Sequence, residues 1–162
     1  MVVLKLWYRF MGVLLKLWYH LIFGRGFSCG KRVHIRKGFQ MTIEPKASIQ
    51  LGDDVFFNNR CALHAMERIE IGKGTIFGEN VLIYDHNHRF ADESVAIKKQ
   101  GYATAPVIIG DHCWIGSNVT ILKGAVIGDN VVIGAGCVID KEIPSDTVVR
   151  LHQDFQFQEV RH

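Results

Sequence analysis

At 162 residues and 48 % apolar content, the chain is sized for one folding unit with a substantial core. Its net charge of +3 is only slightly basic, and outside the N-terminal segment no basic run interleaves with aromatics, which argues against a nucleic-acid partner. Cys29, Cys61, Cys113 and Cys137 form no C-x-x-C pair, so neither a dithiol redox motif nor a zinc knuckle is indicated, and a reducing, cytoplasmic compartment fits.

Residues 1–23 are almost continuously apolar, interrupted by Lys5, Arg9, Lys16 and His20. At about 100° per residue these four fall within a sector of roughly 60° on a helix. The pentapeptide LKLWY occurs at Leu4–Tyr8 and again at Leu15–Tyr19, an 11-residue offset close to three helical turns, so both copies face the same way. The expectation is an amphipathic aromatic helix. Its charges disfavour a membrane span, and no small-residue cleavage site follows it. Two roles stay open and are compatible: peripheral contact with the inner face of a membrane, and capping of the domain or packing in an oligomer.

A repeat begins further on. Ile109, Ile115, Ile121, Ile127, Ile133 and Ile139 recur at an unbroken spacing of six, four of them followed by glycine. The fourth position after each is Cys113, Val119, Ala125, Val131, Cys137 or Ile143. Upstream the period runs through Ile43 and Ile49, then Leu51, Phe57 and Leu63, and after a two-residue slip through Ile71, Phe77 and Ile83. This hexapeptide pattern predicts an all-β solenoid, a β-helix over residues 33–144 within a domain of residues 24–162. One apolar residue points inward per side of a triangular prism, and 18-residue coils stack about 4.8 Å apart. Cys61, Cys113 and Cys137 then occupy small inward positions. The period is lost between Ile83 and Ile109, which predicts an extruded loop over residues 84–106, and a long loop leaving a regular solenoid is usually functional. The alternation Phe155-Gln156-Phe157-Gln158 suggests a short strand in the tail.

The hexapeptide repeat resembles the left-handed parallel β-helix of the hexapeptide acyltransferases, and left-handedness is implied by that resemblance alone, against the general right-handed crossover rule. Over about 110 residues the chain is similar to the sugar O-acetyltransferases of this family, including galactoside and maltose enzymes and the acetyltransferases of capsule and O-antigen. Two stretches carry the likeness. Ile71 to His88 runs without gaps to the position of the family's catalytic histidine, and Pro106-Val107-Ile108-Ile109-Gly110-Asp111-His112-Cys113-Trp114-Ile115-Gly116-Ser117 looks like its P-x-x-I-G-x-x-x-W-I-G-S block.

The resemblance implies acetyl-CoA as acyl donor, a homotrimer with the donor in the groove between subunits, and His88 as general base. A base near neutral pKa suits a sugar hydroxyl too weakly acidic to attack a thioester unaided, typically contributing 10² to 10⁴-fold. No covalent intermediate is needed, so the lack of a G-x-S-x-G elbow is no objection. His86, two residues away, is the competing base; on an extended strand both imidazoles point the same way. Asn58 matches an acceptor-contacting asparagine of the family and Trp114 its active-site tryptophan, which leaves His86 as a structural or substrate-contacting residue. Ser117 and Ala135 match CoA-contact positions, and Lys123 and Lys141, also 18 residues apart, would form a cationic column for a CoA phosphate. Each has an ordinary alternative in packing or surface solvation. After Pro144 the chain departs from the galactoside and maltose pattern and approaches the surface-polysaccharide variants, whose acceptors include lipid-linked sugars. Competing readings are a non-catalytic β-helix scaffold and a γ-class carbonic anhydrase built on His64, His86 and His88, whose spacing departs from that family's pattern. Serine acetyltransferase shares the chemistry but has a far longer N-terminal helical domain.

Overall fold

The structure, a computed structural model, describes residues 2–160, with side chains from Trp7 onward except that of Arg9. Lys5 and Arg9 of the expected basic stripe therefore lie outside the described side chains.

A helix, α1 (Val2–Phe23), precedes three parallel sheets that form the sides of a prism. The first sheet stacks Phe27–Cys29, Ser48–Leu51, Arg68–Ile71, Val107–Ile109, Val126–Ile127 and Glu142–Ile143. The second stacks His34–Ile35, Phe56–Phe57, Ile76–Phe77, Trp114–Ile115, Val132–Ile133 and Val148–Val149. The third holds Gln40–Ile43, Ala62–Ala65, Leu82–Tyr84, Thr120–Ile121 and Val138–Ile139. The solenoid thus runs from Phe27 to Val149, somewhat beyond the expected 33–144.

All six isoleucines of the repeat point inward, none more than 4 % exposed, and Cys61, Cys113 and Cys137 are buried with them. Burial pushes the Cys61 and Cys113 thiols up from their ordinary pKa, which fits inert packing groups. Coil length is less uniform than the repeat suggests. Partners across coils are 22 residues apart at His34 and Phe56, 20 at Phe56 and Ile76, 18 at Ile115 and Ile133, and 16 at Val132 and Val148. The longer N-terminal coils accommodate a column of rings: Phe39 and Phe57 lie 5.0 Å apart between centroids, and Phe57 and Phe77 stack at 4.6 Å. At the corners the backbones nearly touch. A Cβ on Gly110 would come within 2.7 Å of the Gly128 carbonyl carbon, so this corner position tolerates no side chain.

The helix closes the N-terminal end. Tyr19 is buried against Phe27 and Phe39, Gly12 lets the helix approach the Ile35 backbone, and the Lys16 ammonium donates to the Val33 carbonyl at 2.9 Å. The capping role is therefore present. The tail differs from expectation: residues 151–160 form no strand and are exposed, because no neighbouring coil offers the alternating phenylalanines a ladder.

Candidate active site

The excursion from the solenoid is more ordered than the expected loop. It opens with His86–His88, pairs antiparallel with Tyr102–Thr104, and aligns His86 with Thr104 and His88 with Tyr102. Between these strands Gln100 ties the tip together, its Nε2 donating to the carbonyls of Asp92 and Val95 at 2.8 and 2.7 Å. The chain then re-enters the first sheet at Val107, and the Gly124 amide donates to the Pro106 carbonyl at 3.1 Å.

Asp85 sits at the base of this hairpin and is fully buried. Its carboxylate is held by three successive amides at the corner one coil earlier: Met66 donates to Oδ1 at 2.8 Å, and Glu67 and Arg68 to Oδ2 at 2.7 and 2.8 Å. Such a row of amides is a ready anion nest. Asp85 Oδ1 also lies 3.0 Å from His86 Nδ1. A carboxylate can only accept, so Nδ1 is the donor, an arrangement that leaves Nε2 as the ring nitrogen available for proton transfer. The His86 side chain is 17 % exposed, whereas His88 is exposed.

Aromatic rings join these groups. Tyr102 touches both imidazoles, with centroids 5.5 Å from His86 and 4.5 Å from His88, so the two do share a face of the strand. Tyr84 meets His86 edge-on at 6.1 Å and stacks on His64 at 5.1 Å, and His64 Nδ1 is 2.7 Å from Thr42 Oγ1. Burial first, and the neighbouring His86 second, lower the His64 pKa. Tyr rings thus intervene between the three imidazoles, and no three metal-binding side chains among the described residues converge within the protomer.

The other predicted residues are distributed along the solenoid. Asn58 is half-buried one coil before the hairpin, its Oδ1 accepting from Arg36 at 3.1 Å and from the Asn59 amide at 2.9 Å. Trp114 is 54 % exposed on a side strand. Ser117 Oγ accepts from the Glu79 amide at 3.1 Å, and the Gly136 amide donates to the Ser117 carbonyl at 3.0 Å, which places Ala135 on the next coil as the spacing predicts. Lys123 and Lys141 follow the paired strands Thr120–Ile121 and Val138–Ile139, on successive coils, with Lys123 half-buried and Lys141 exposed. A shallow cavity of about 430 Å³ lies beside Ala135, lined by Asn118, Gly134, Arg150 and Leu151 among others. Asp85 and Tyr102, which contact His86, and Arg150, beside Ala135, were not singled out from the sequence. Asp85 had one local signal, its place directly before His86 in the excursion.

Comparison with known proteins is consistent across sequence and structure. The bacterial transferase hexapeptide (six repeats) family matches residues 106–141. The putative lipopolysaccharide biosynthesis O-acetyl transferase WbbJ of Escherichia coli (strain K12) is 30 % identical, over 78 % of this chain and 65 % of its own length. The chain spans 39 % of another curated relative, a probable acetyltransferase of Mycobacterium tuberculosis. Among solved structures, a maltose O-acetyltransferase from Clostridium difficile 630 is 36 % identical with a TM-score of 0.66, covering 80 % of this chain and 67 % of that one. A galactoside acetyltransferase in complex with coenzyme A gives 28 % identity and a TM-score of 0.66, covering 75 % and 60 %. The chain therefore belongs to the hexapeptide-repeat acetyltransferases, and its fold is their left-handed parallel β-helix.

Proposed function

We propose that this protein transfers the acetyl group of acetyl-CoA to a hydroxyl of a sugar destined for a surface polysaccharide, with the general base supplied by the hairpin. The observation that carries the mechanism is the hydrogen bond from His86 Nδ1 to a buried, amide-held Asp85. In the forward step, His86 Nε2 takes the acceptor's hydroxyl proton as its oxygen bonds to the acetyl carbonyl carbon. The carbon–sulfur bond then breaks, and the imidazolium returns the proton to the departing CoA thiolate. Asp85 favours this cycle twice, fixing the tautomer and stabilising the imidazolium. His88 is the base that the ungapped resemblance singles out, and in this reading it lies beside the reacting centre, against Tyr102.

Acetyl-CoA is assigned to the side of the solenoid that carries Ser117, Ala135, Lys123 and Lys141. Two columns at opposite edges of that side support this: Ser117 and Ala135 offer small residues for close approach, Lys123 and Lys141 offer cations for phosphates, and Arg150 adds a further cation beside Ala135. A homotrimer, as in the family, would complete the groove. The acceptor class rests on relatives named for lipopolysaccharide and colanic acid biosynthesis. The test is to incubate the purified chain with acetyl-CoA and a panel of sugars and oligosaccharides, following free CoA thiol and the mass of the acceptor. The proposal expects thiol release coupled to a mass gain of one acetyl group. Absence of transfer to every hydroxylated acceptor, with transfer to an amino sugar instead, would overturn O-acetylation.

A further inference from the structure

The outward face of α1 is a large apolar surface. Trp7, Phe10, Leu17, Trp18 and Leu21 are each more than half exposed, while the opposite face, through Gly12 and Tyr19, is spent on the solenoid. Isolated exposed apolar residues need no explanation, but a continuous aromatic and aliphatic face does. No helix among the described residues is long and apolar enough to cross a membrane.

Charge is distributed just as unevenly. Nine of the 19 Lys and Arg residues, but only one of the 16 Asp and Glu residues, lie within residues 1–51, the helix and the first coil, and of these cations Arg32 is paired with Asp54 of the next coil. The remainder of the chain is net acidic. Arg25, Lys31, Lys37 and Lys46 are all exposed at this end. A groove of about 500 Å³ between α1 and the first coil brings the two properties together, setting Trp7, Met11 and Leu15 opposite Arg36 and Lys37.

We propose that this end of the solenoid docks on an anionic lipid surface, with α1 lying in the plane of the headgroups and the cations of the first coils contacting lipid phosphates. An apolar face bordered by cations matches the layering of such a surface, where acyl chains lie beneath a sheet of negative charge. A second copy of the chain fits less well, since two such ends face to face would bring like charges together.

The test is flotation of the full chain with phosphatidylglycerol-containing vesicles and with pure phosphatidylcholine vesicles, comparing the parent with Trp18→Glu/Leu21→Glu and with Lys31→Glu/Lys37→Glu. Thermal melts and the mass of the assembly in solution are recorded for each. The proposal expects parent binding to anionic vesicles, weakened by salt, and a loss of about tenfold or more in both variants with melts unchanged. A parent that stays unbound with anionic vesicles would overturn it. So would parent-like flotation of the tryptophan and leucine variant, or a smaller assembly for that variant with no vesicle binding by the parent, which would assign the face to self-association.

Discussion

The even rungs from Val107 to Ile139 and the hairpin that interrupts the coil before them are held by different forces. In the rungs the inward side chains of the repeat are essentially inaccessible, and corner backbones sit close enough to exclude a Cβ. In the hairpin Phe90 and Ile97 are 75 % and 55 % exposed, and order comes instead from Gln100 at the tip and Asp85 at the base. Apolar packing fixes where the rungs are, and hydrogen bonds fix what the hairpin can do. The division separates stability from chemistry: a change in a rung should cost folding, and a change at the exposed tip should not.

The strongest test of that separation is Ile121→Ala against Phe90→Ala. Ile121 is fully buried, so its truncation should cost about 2 to 5 kcal/mol in chemical denaturation. Phe90→Ala should stay within about 0.5 kcal/mol. Equal losses would mean the hairpin packs as a rung does. Asp85→Asn should fall between the two at about 1 to 3 kcal/mol, because an amide satisfies the three backbone donors less well than a carboxylate. It should also lower kcat, and unchanged kcat would remove Asp85 from the mechanism. Lys141→Glu should leave stability within about 0.5 kcal/mol while raising KM for acetyl-CoA. An unaltered KM would leave Lys141 as a solvated surface lysine.

The smallest expected effect concerns pH. Because burial lowers the His64 pKa, the folded state prefers the neutral ring. The unfolded chain therefore binds more protons just below its ordinary histidine pKa of about 6.5, and the contribution present above that pH is lost as pH falls. His64→Gln should flatten the decline in stability on the acid side, which melts recorded at neutral and mildly acidic pH would reveal. An unchanged decline would place its origin elsewhere.

The same division explains what could be read from sequence. Ile109 through Ile139 announce a solenoid because each inward residue repeats a local geometric requirement every sixth position, and the extruded loop shows itself as a loss of that period. The length of the early coils is harder to read, since the extra residues sit at corners and in longer strands and alter no inward residue type. Phe155 to Gln158 alternates like a strand, yet a strand needs a partner and the described residues supply none. The site was legible as far as two histidines on one strand face. What distinguishes them is the nest at Met66–Arg68, which reaches Asp85 across a coil boundary 17 to 19 residues away. No spacing rule within the excursion indicates that contact. The resemblance implies His88 by position, and the proposed mechanism assigns the base to His86 because of its hydrogen bond to Asp85.

That contrast gives the decisive measurement, the pH dependence of kcat/KM for acetyl transfer in the parent, His86→Ala and His88→Ala. With His86 as base, His86→Ala should lower kcat by about 10² to 10⁴-fold and abolish the limb in the histidine range, while His88→Ala keeps that limb and loses far less activity. Loss of the limb in His88→Ala, with near-parent rates in His86→Ala, would contradict the account and return the proton transfer to His88.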